Sequence, residues 1–184
     1  MKTKEIFLVI FCAFFCLSGA AAQTYYYNTT QTFNENGYSY QCDKPEWGLI
    51  ELYNTNNIYT YANYVYKDGS EITDTDILRG NTKLIESDNW TRQKCFSIIN
   101  AAFSGAEKQR VKGQKFDVSM TINTSTGKVI EVDFRFMYND PFATIPVSTY
   151  RKIELDLKSQ IWFTLTNTGK QLKFIHRGWL HEVE

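Results

Sequence analysis

Residues 116–136, FDVSMTINTSTGKVIEVDFRF, alternate between apolar and polar side chains on both sides of a polar turn. Successive side chains of a strand point to opposite faces of a sheet, so each half predicts a strand with one buried face. Gly127 ends the turn and can take the positive φ that a hairpin loop requires. The stretch therefore predicts a β-hairpin. Its polar face is predicted to carry Asp117, Ser119, Thr121, Glu131, Asp133 and Arg135.

An amphipathic helix is predicted to cover the apolar face of this hairpin. Ser148 is the expected N-cap, and the helix is expected over Thr149–Trp162. Apolar residues then recur at three- and four-residue steps and form one stripe. The stripe consists of Tyr150, Ile153, Leu157 and Ile161. Leu172–Trp179 is predicted to return as an edge strand, which completes a ββαβ unit over residues 113–184.

This unit resembles the C-terminal domain of TonB-type energy transducers, through STGKVIEVDF at 125–134 and YRKIELDLK at 150–158. The whole chain is similar to a family of small secreted proteins of unknown function from Bacteroides-type Gram-negative bacteria, through YQCD at 40–43 and YKDG at 66–69. The TonB resemblance implies binding of an extended peptide at a sheet edge. Energy transduction is not expected, because the chain has three prolines and no Pro-rich spacer.

The N-terminus is typical of a signal peptide over residues 1–22. Lys2 and Lys4 precede an apolar run, Ile6–Leu17, that is too short to span a bilayer. The small residues that follow predict cleavage between Ala22 and Gln23. The protein is therefore expected to be exported, to the periplasm or beyond, with no membrane span in the mature chain.

The mature chain is predicted to be one domain, residues 23–184. It is also predicted to have no basic surface of the kind that binds nucleic acid. Loss of Lys2, Lys4 and Glu5 from 20 basic and 20 acidic residues leaves 18 and 19. Lysine and arginine are scattered along the chain instead of clustered. No nucleic-acid partner is expected.

Two cysteines, Cys42 and Cys95, remain after processing. In an oxidising envelope compartment such a pair is most simply a disulfide, and two buried thiols are the alternative.

The first half of the mature chain is predicted to be an arm followed by a hairpin and a helix. Residues 23–45 are rich in Tyr, Asn and Thr and are expected to pack on the domain as an arm. In residues 46–112, Trp47–Tyr53 and Ile58–Tyr66 are predicted as two strands, followed by a helix over Asn89–Ser104 with Asp88 as its cap.

The two halves would then share one pattern, hairpin plus helix, which raises the alternatives of duplication or coincidence of common turn residues. The predicted class is α+β, with an antiparallel sheet and helices packed on one face.

No catalytic, metal or cofactor motif is present in the sequence. The two histidines, His176 and His181, lie in the region of the last predicted strand, which is weak evidence for a metal site, and an ordinary strand role is expected for His176. Glu131 and Asp133 lie two apart on one strand face, as a glycosidase pair can, yet alternating charge on a solvent face gives the same pattern. We expect a protein that is not an enzyme and holds no cofactor.

Two functional hypotheses follow. The first is an interaction module that binds a protein or peptide of the cell envelope, or a second copy of the chain, through its sheet edge or polar face. The second is a glycan-binding or carbohydrate-processing accessory protein that uses surface aromatics. The candidate binding surface for both consists of Trp47, Tyr59, Tyr61, Glu131, Asp133, Arg135 and Trp179.

Overall fold

A computed structural model describes residues 24–87 and 89–184. The strands in these residues are β1 Gln31–Glu35, β2 Tyr38–Asp43, β3 Leu49–Asn54, β4 Lys115–Asn123, β5 Val129–Met137 and β6 Phe174–Glu182. They form one antiparallel sheet in the order β1-β2-β3-β5-β4-β6. The predicted α+β class is confirmed, and β6 is an edge strand as expected.

Four α-helices occur in the described residues, two of them long. They are α1 Thr75–Leu78, α2 Asn89–Ala102, α3 Gly105–Val111 and α4 Val147–Gln160. Helix α4 packs on β5, and α2 packs beside α4, so the long helices cover one face of the sheet. Short 3₁₀ turns at Pro141–Thr144 and Gly169–Gln171 precede α4 and β6. No described helix has the length and apolar content needed to cross a bilayer.

The hairpin and its helical cover are confirmed. Strands β4 and β5 pair with Val118 opposite Phe134 and Met120 opposite Val132, and all four side chains are buried. The predicted helix stripe of Tyr150, Ile153, Leu157 and Ile161 is also buried. The ring of Tyr150 lies 4.9 Å from that of Phe134, centroid to centroid. Burial of these apolar side chains is the main favourable contribution to folding.

The prediction of an arm over residues 23–45 is wrong, because this region contributes β1 and β2 to the sheet. Tyr27 anchors the residues before them. Its ring is buried beside Phe136, and its hydroxyl donates to the carbonyl oxygen of Ile145 at 2.8 Å.

The predicted strand Ile58–Tyr66 is also wrong. Strand β3 pairs with β2 and β5 instead. Within residues 58–66, isolated bridges are formed by Val65 with Glu71 and by Tyr66 with Leu172. The first hairpin of the suggested repeat, between Trp47–Tyr53 and Ile58–Tyr66, is therefore not formed.

Two helix boundaries differ from expectation, and a third prediction cannot be placed. Ser104 forms a capping box with Glu107, so the charged run after Gly105 begins a further helix, α3, instead of a loop. Helix α4 starts at Val147 with Pro146 at its N-cap, which leaves Ser148 inside the first turn. Asp88 lies outside the described residues, as does the predicted cleavage site at Ala22 and Gln23.

Candidate functional site

The polar face of the hairpin is covered by residues 55–66, which we call the crossing segment. The carboxylate of Glu131 accepts the backbone N–H groups of Ile58 at 2.8 Å and Tyr59 at 3.0 Å. Asp133 Oδ1 accepts from Asn57 Nδ2 at 3.0 Å and from Thr60 Oγ1 at 2.9 Å. The crossing segment is therefore held on the hairpin by hydrogen bonds to these two carboxylates and not by pairing as a strand.

Glu131 and Asp133 are both buried under this segment. Burial raises the pKa of Asp133 to about 6, against the opposing effect of the hydrogen bonds from Thr60 and Asn57. The prediction that these two carboxylates belong to an accessible binding surface is wrong. The alternating pattern predicts a face exposed to solvent, whereas a distant segment covers it.

A half-buried polar group lies beside the crossing segment. Arg135 Nε donates to Glu51 Oε2 at 2.5 Å, and Arg135 Nη1 lies 3.6 Å from Asp117 Oδ2. Burial raises the pKa of Glu51 to about 7, and the hydrogen bond from Arg135 acts in the opposite direction. Next to this group, Asp43 Oδ2 accepts from the hydroxyls of Tyr53 and Tyr61, each at 2.8 Å.

The predicted aromatic residues do not converge on one surface. Trp47 and Tyr61 are 67% and 65% exposed. Tyr59 packs on Phe174, with ring centroids 4.3 Å apart. Trp179 is half-buried on β6, which lies three strands away from β3, the strand that follows Trp47. A shared glycan platform built from the predicted residues is therefore not formed.

The predicted disulfide is wrong for this structure, in which Cys42 and Cys95 are both free and buried. Cys42 lies on β2, with Sγ 3.6 Å from the carbonyl oxygen of Thr29. Cys95 lies on α2, with Sγ 4.0 Å from the sulfur of Met120 on β4. Strands β3 and β5 lie between β2 and β4, so β2 and the strand that Cys95 packs on are about 14 Å apart at ordinary strand spacing. A disulfide needs Cα atoms within about 7 Å.

The histidines do not form a metal centre. His176 contacts Thr121 and the ring of Tyr64, whereas His181 is buried against Phe96 with Nε2 3.2 Å from Asn100 Oδ1. No group of three potential ligands among His, Cys, Asp and Glu lies close enough to hold a metal ion within residues 24–87 and 89–184.

The outer edge of β6 is open. In an antiparallel pair, alternate residues direct both main-chain groups toward the partner strand, and the others direct them outward. The N–H of His176 points outward, since it donates to the Tyr64 hydroxyl at 3.1 Å. Gly178, Leu180 and Glu182 have the same orientation, and their outward main-chain groups meet no partner in the described residues. All three residues are exposed.

A cleft of about 760 Å³ lies at the N-terminal end of this open edge. Its lining includes the strand residues 175–177 and Trp179, residues 80–87 and the start of α2. Two arginines line it. Arg177 Cζ lies 5.0 Å from the ring centroid of Trp179, and Arg92 Cζ lies 5.2 Å from that of Phe96. Sequence analysis missed this cleft, because its lining comes from four separate parts of the chain, at residues 64, 77–92, 163 and 175–179.

The comparisons with known proteins identify the family. The profile for a domain of unknown function, DUF5043, matches residues 23–179. The chain belongs to the DUF5043 family. The crystal structure of a DUF5043 family protein from Bacteroides uniformis ATCC 8492 at 1.85 Å resolution is similar in fold, with a TM-score of 0.79. It is 33% identical in sequence, and the alignment covers 91% of this chain and 93% of that one.

The predicted membership of a Bacteroides-type family of unknown function is thereby confirmed for this DUF5043 chain. The resemblance to the TonB C-terminal domain stays a prediction. A search of curated proteins found no match.

Proposed function

We propose that this DUF5043 protein is an exported binding module, not an enzyme, that takes up an extended segment of another cell-envelope protein. The proposal rests on the open outer edge of β6. There Gly178, Leu180 and Glu182 present unpaired main-chain donors and acceptors to solvent. An extended peptide that adds to such an edge gains main-chain hydrogen bonds, and its alternate side chains supply specificity.

Edge strands are usually protected against adventitious pairing by charge, proline or a covering loop. The N-terminal end of β6 is covered in this way, through the bond from His176 to Tyr64 and the bridge between Tyr66 and Leu172. The C-terminal half has no such cover in the described residues, and Leu180 is 60% exposed there. This contrast within one strand supports a binding role for the open half.

The test compares Leu180→Pro with Leu180→Ala on an array of short random peptides. Proline removes the outward N–H without breaking a bond to β4, whereas alanine keeps the N–H and removes the side chain. We expect peptides bound by the wild type to lose about ten-fold or more in affinity with Leu180→Pro and much less with Leu180→Ala.

Amide hydrogen exchange with a bound peptide should show protection at Gly178, Leu180 and Glu182. Circular dichroism and thermal unfolding verify that both variants remain folded. Absence of any bound peptide, or equal binding by the proline variant, would overturn the proposal. A concentration-dependent dimer that Leu180→Pro abolishes would assign the edge to a second copy of the chain and overturn it too.

A second candidate is glycan binding at a pair of exposed tryptophans. Trp90 on α2 and Trp162 after α4 are 45% and 54% exposed, with ring centroids 4.8 Å apart. Aromatic faces of this kind stack on sugar rings. A glycan array probed with the wild type and Trp162→Ala tests it, and we expect signals lost in the variant. Equal signals, or none for the wild type, would exclude this candidate.

A further inference from the structure

We propose that the cleft at the end of β6 binds a carboxylate carried by the extended peptide, between Arg92 and Arg177. This inference rests on the proposed function, since it assigns the chemistry of the segment that pairs with the β6 edge. Arg177 stands on β6 itself, directly before Gly178, where the open edge begins. Arg92 stands on α2 and lines the same cleft.

Both guanidinium groups are available to a ligand. The Cζ of each lies over an aromatic ring, at 5.2 Å from the centroid of Phe96 for Arg92 and at 5.0 Å from that of Trp179 for Arg177. A contact with a ring face uses no acidic partner, so the N–H donors remain for a ligand. Neither forms an ion pair with an acidic side chain in the described residues. The other charged pair in the cleft is already satisfied, because Lys83 Nζ lies 3.0 Å from Glu86 Oε2. Among the described residues that line the cleft, the charge left without an ion pair is therefore positive.

The direction of the peptide favours a carboxylate at the same point. Every pairing in the sheet is antiparallel, and antiparallel ladders are slightly more stable per residue than parallel ones. A peptide antiparallel to the open half of β6 runs from beside Glu182 to beside Gly178, and its C-terminal end therefore points toward the cleft. Arginine binds carboxylates through paired, charge-assisted hydrogen bonds.

Two sources supply this chemistry: the C-terminal carboxylate of the partner, or an Asp or Glu side chain within it. Synthetic peptide arrays in three formats distinguish them. The formats are random peptides with a free C-terminus and no acidic residue, the same peptides amidated, and amidated peptides with one internal Asp or Glu. We expect strong binding by one or both carboxylate-bearing formats and weak binding by the neutral amidated format.

The variants are Arg92→Gln and Arg177→Gln, with Lys94→Gln as the matched control. Lys94 is exposed on the same helix as Arg92, does not line the cleft, and its substitution removes the same charge. Each arginine variant is expected to weaken binding of the carboxylate peptides about ten-fold, while the control leaves it unchanged.

The outcomes separate the two proposals. Equal binding of all three formats, lost with Leu180→Pro but unaffected by Arg92→Gln and Arg177→Gln, would overturn the carboxylate site and leave edge binding intact. Absence of binding by every format would overturn both. Thermal unfolding of each variant verifies that any loss is not a loss of fold.

Discussion

A single buried carboxylate, Glu154, joins α4 to the sheet. The spacing of Glu154 and Lys158 predicts an ion pair on the helix surface, and the pair is present at 3.3 Å. The carboxylate itself, however, is fully buried and also accepts from Tyr40, Asn54 and Arg151. Burial raises its pKa, but these hydrogen bonds and the charge of Lys158 outweigh that effect and hold it below the usual value.

Glu154→Gln is therefore expected to destabilise the fold strongly. The amide keeps one acceptor and brings a donor toward groups that are themselves donors, at a cost of about 2–3 kcal/mol. Asp156→Asn on the same helix is the control, because its pair with Lys152 is exposed to solvent and contributes about 0–1 kcal/mol. Urea unfolding of both variants measures the difference. Equal losses would show that Glu154 has no special role.

His181 is expected to make stability depend on pH. Its ring is buried, its Nδ1 has no partner among the described residues, and burial lowers its pKa from 6.5 to about 4. The unfolded chain binds the proton more tightly than the folded one. The contribution of His181 to the free energy of unfolding is therefore full above pH 6.5 and is lost as pH falls toward 4.

NMR titration of the His181 ring should give a midpoint near 4. The free energy of unfolding of His181→Leu should fall less steeply with acid than that of the wild type over the same interval. A ring that titrates near 6.5 would contradict the burial argument.

At the scale of elements, the hairpin turn is fixed by its contact with the segment after α4. Gly127 has φ +72°, and its carbonyl accepts from the N–H of Phe163 at 2.8 Å. A Cβ at this position would lie 2.2 Å from the carbonyl oxygen of Phe163. The turn therefore needs glycine for two reasons, the positive φ and the close approach.

Gly127→Ala should cost about 2–4 kcal/mol, because the backbone has to move away from Phe163. Gly37→Ala is the matched control, since Gly37 has a similar φ of +80° and no atom within 4 Å of the added Cβ. It should cost only about 1 kcal/mol, from the positive φ alone. Thermal unfolding compares the two, and similar losses would refute the steric part.

At the scale of the whole molecule, the order of the strands keeps the two cysteines apart. Each thiol is buried in a different part of the core, and burial raises the pKa of each to about 12. A thiol with so high a pKa is unreactive at neutral pH, because the thiolate is the nucleophile.

The protein produced from Gln23 onward should therefore react slowly with a thiol reagent when native. The same sample, unfolded without reductant, should show two reactive thiols, Cys42 and Cys95. Absence of thiols in the unfolded sample would mean that a disulfide forms after all, and would contradict the strand order.

The strand order also explains why the sequence predicts one half of the fold better than the other. The hairpin 116–136 and the stripe on α4 follow from local alternation and periodicity, which depend only on neighbouring residues. The crossing segment has equally strong strand composition, yet it forms no strand. Its backbone N–H groups bond to the carboxylate of Glu131, about seventy residues away in the chain.

By itself, the sequence determined the α+β class, the ββαβ unit, the buried helix stripe and the position of β6 at an edge. Only the tertiary structure decided which polar residues are covered, that the cysteines are apart, and that Arg92 and Arg177 share a cleft with the open edge. The physical reason is that periodicity reports which face of an element is apolar, whereas contacts between distant segments decide which polar groups meet.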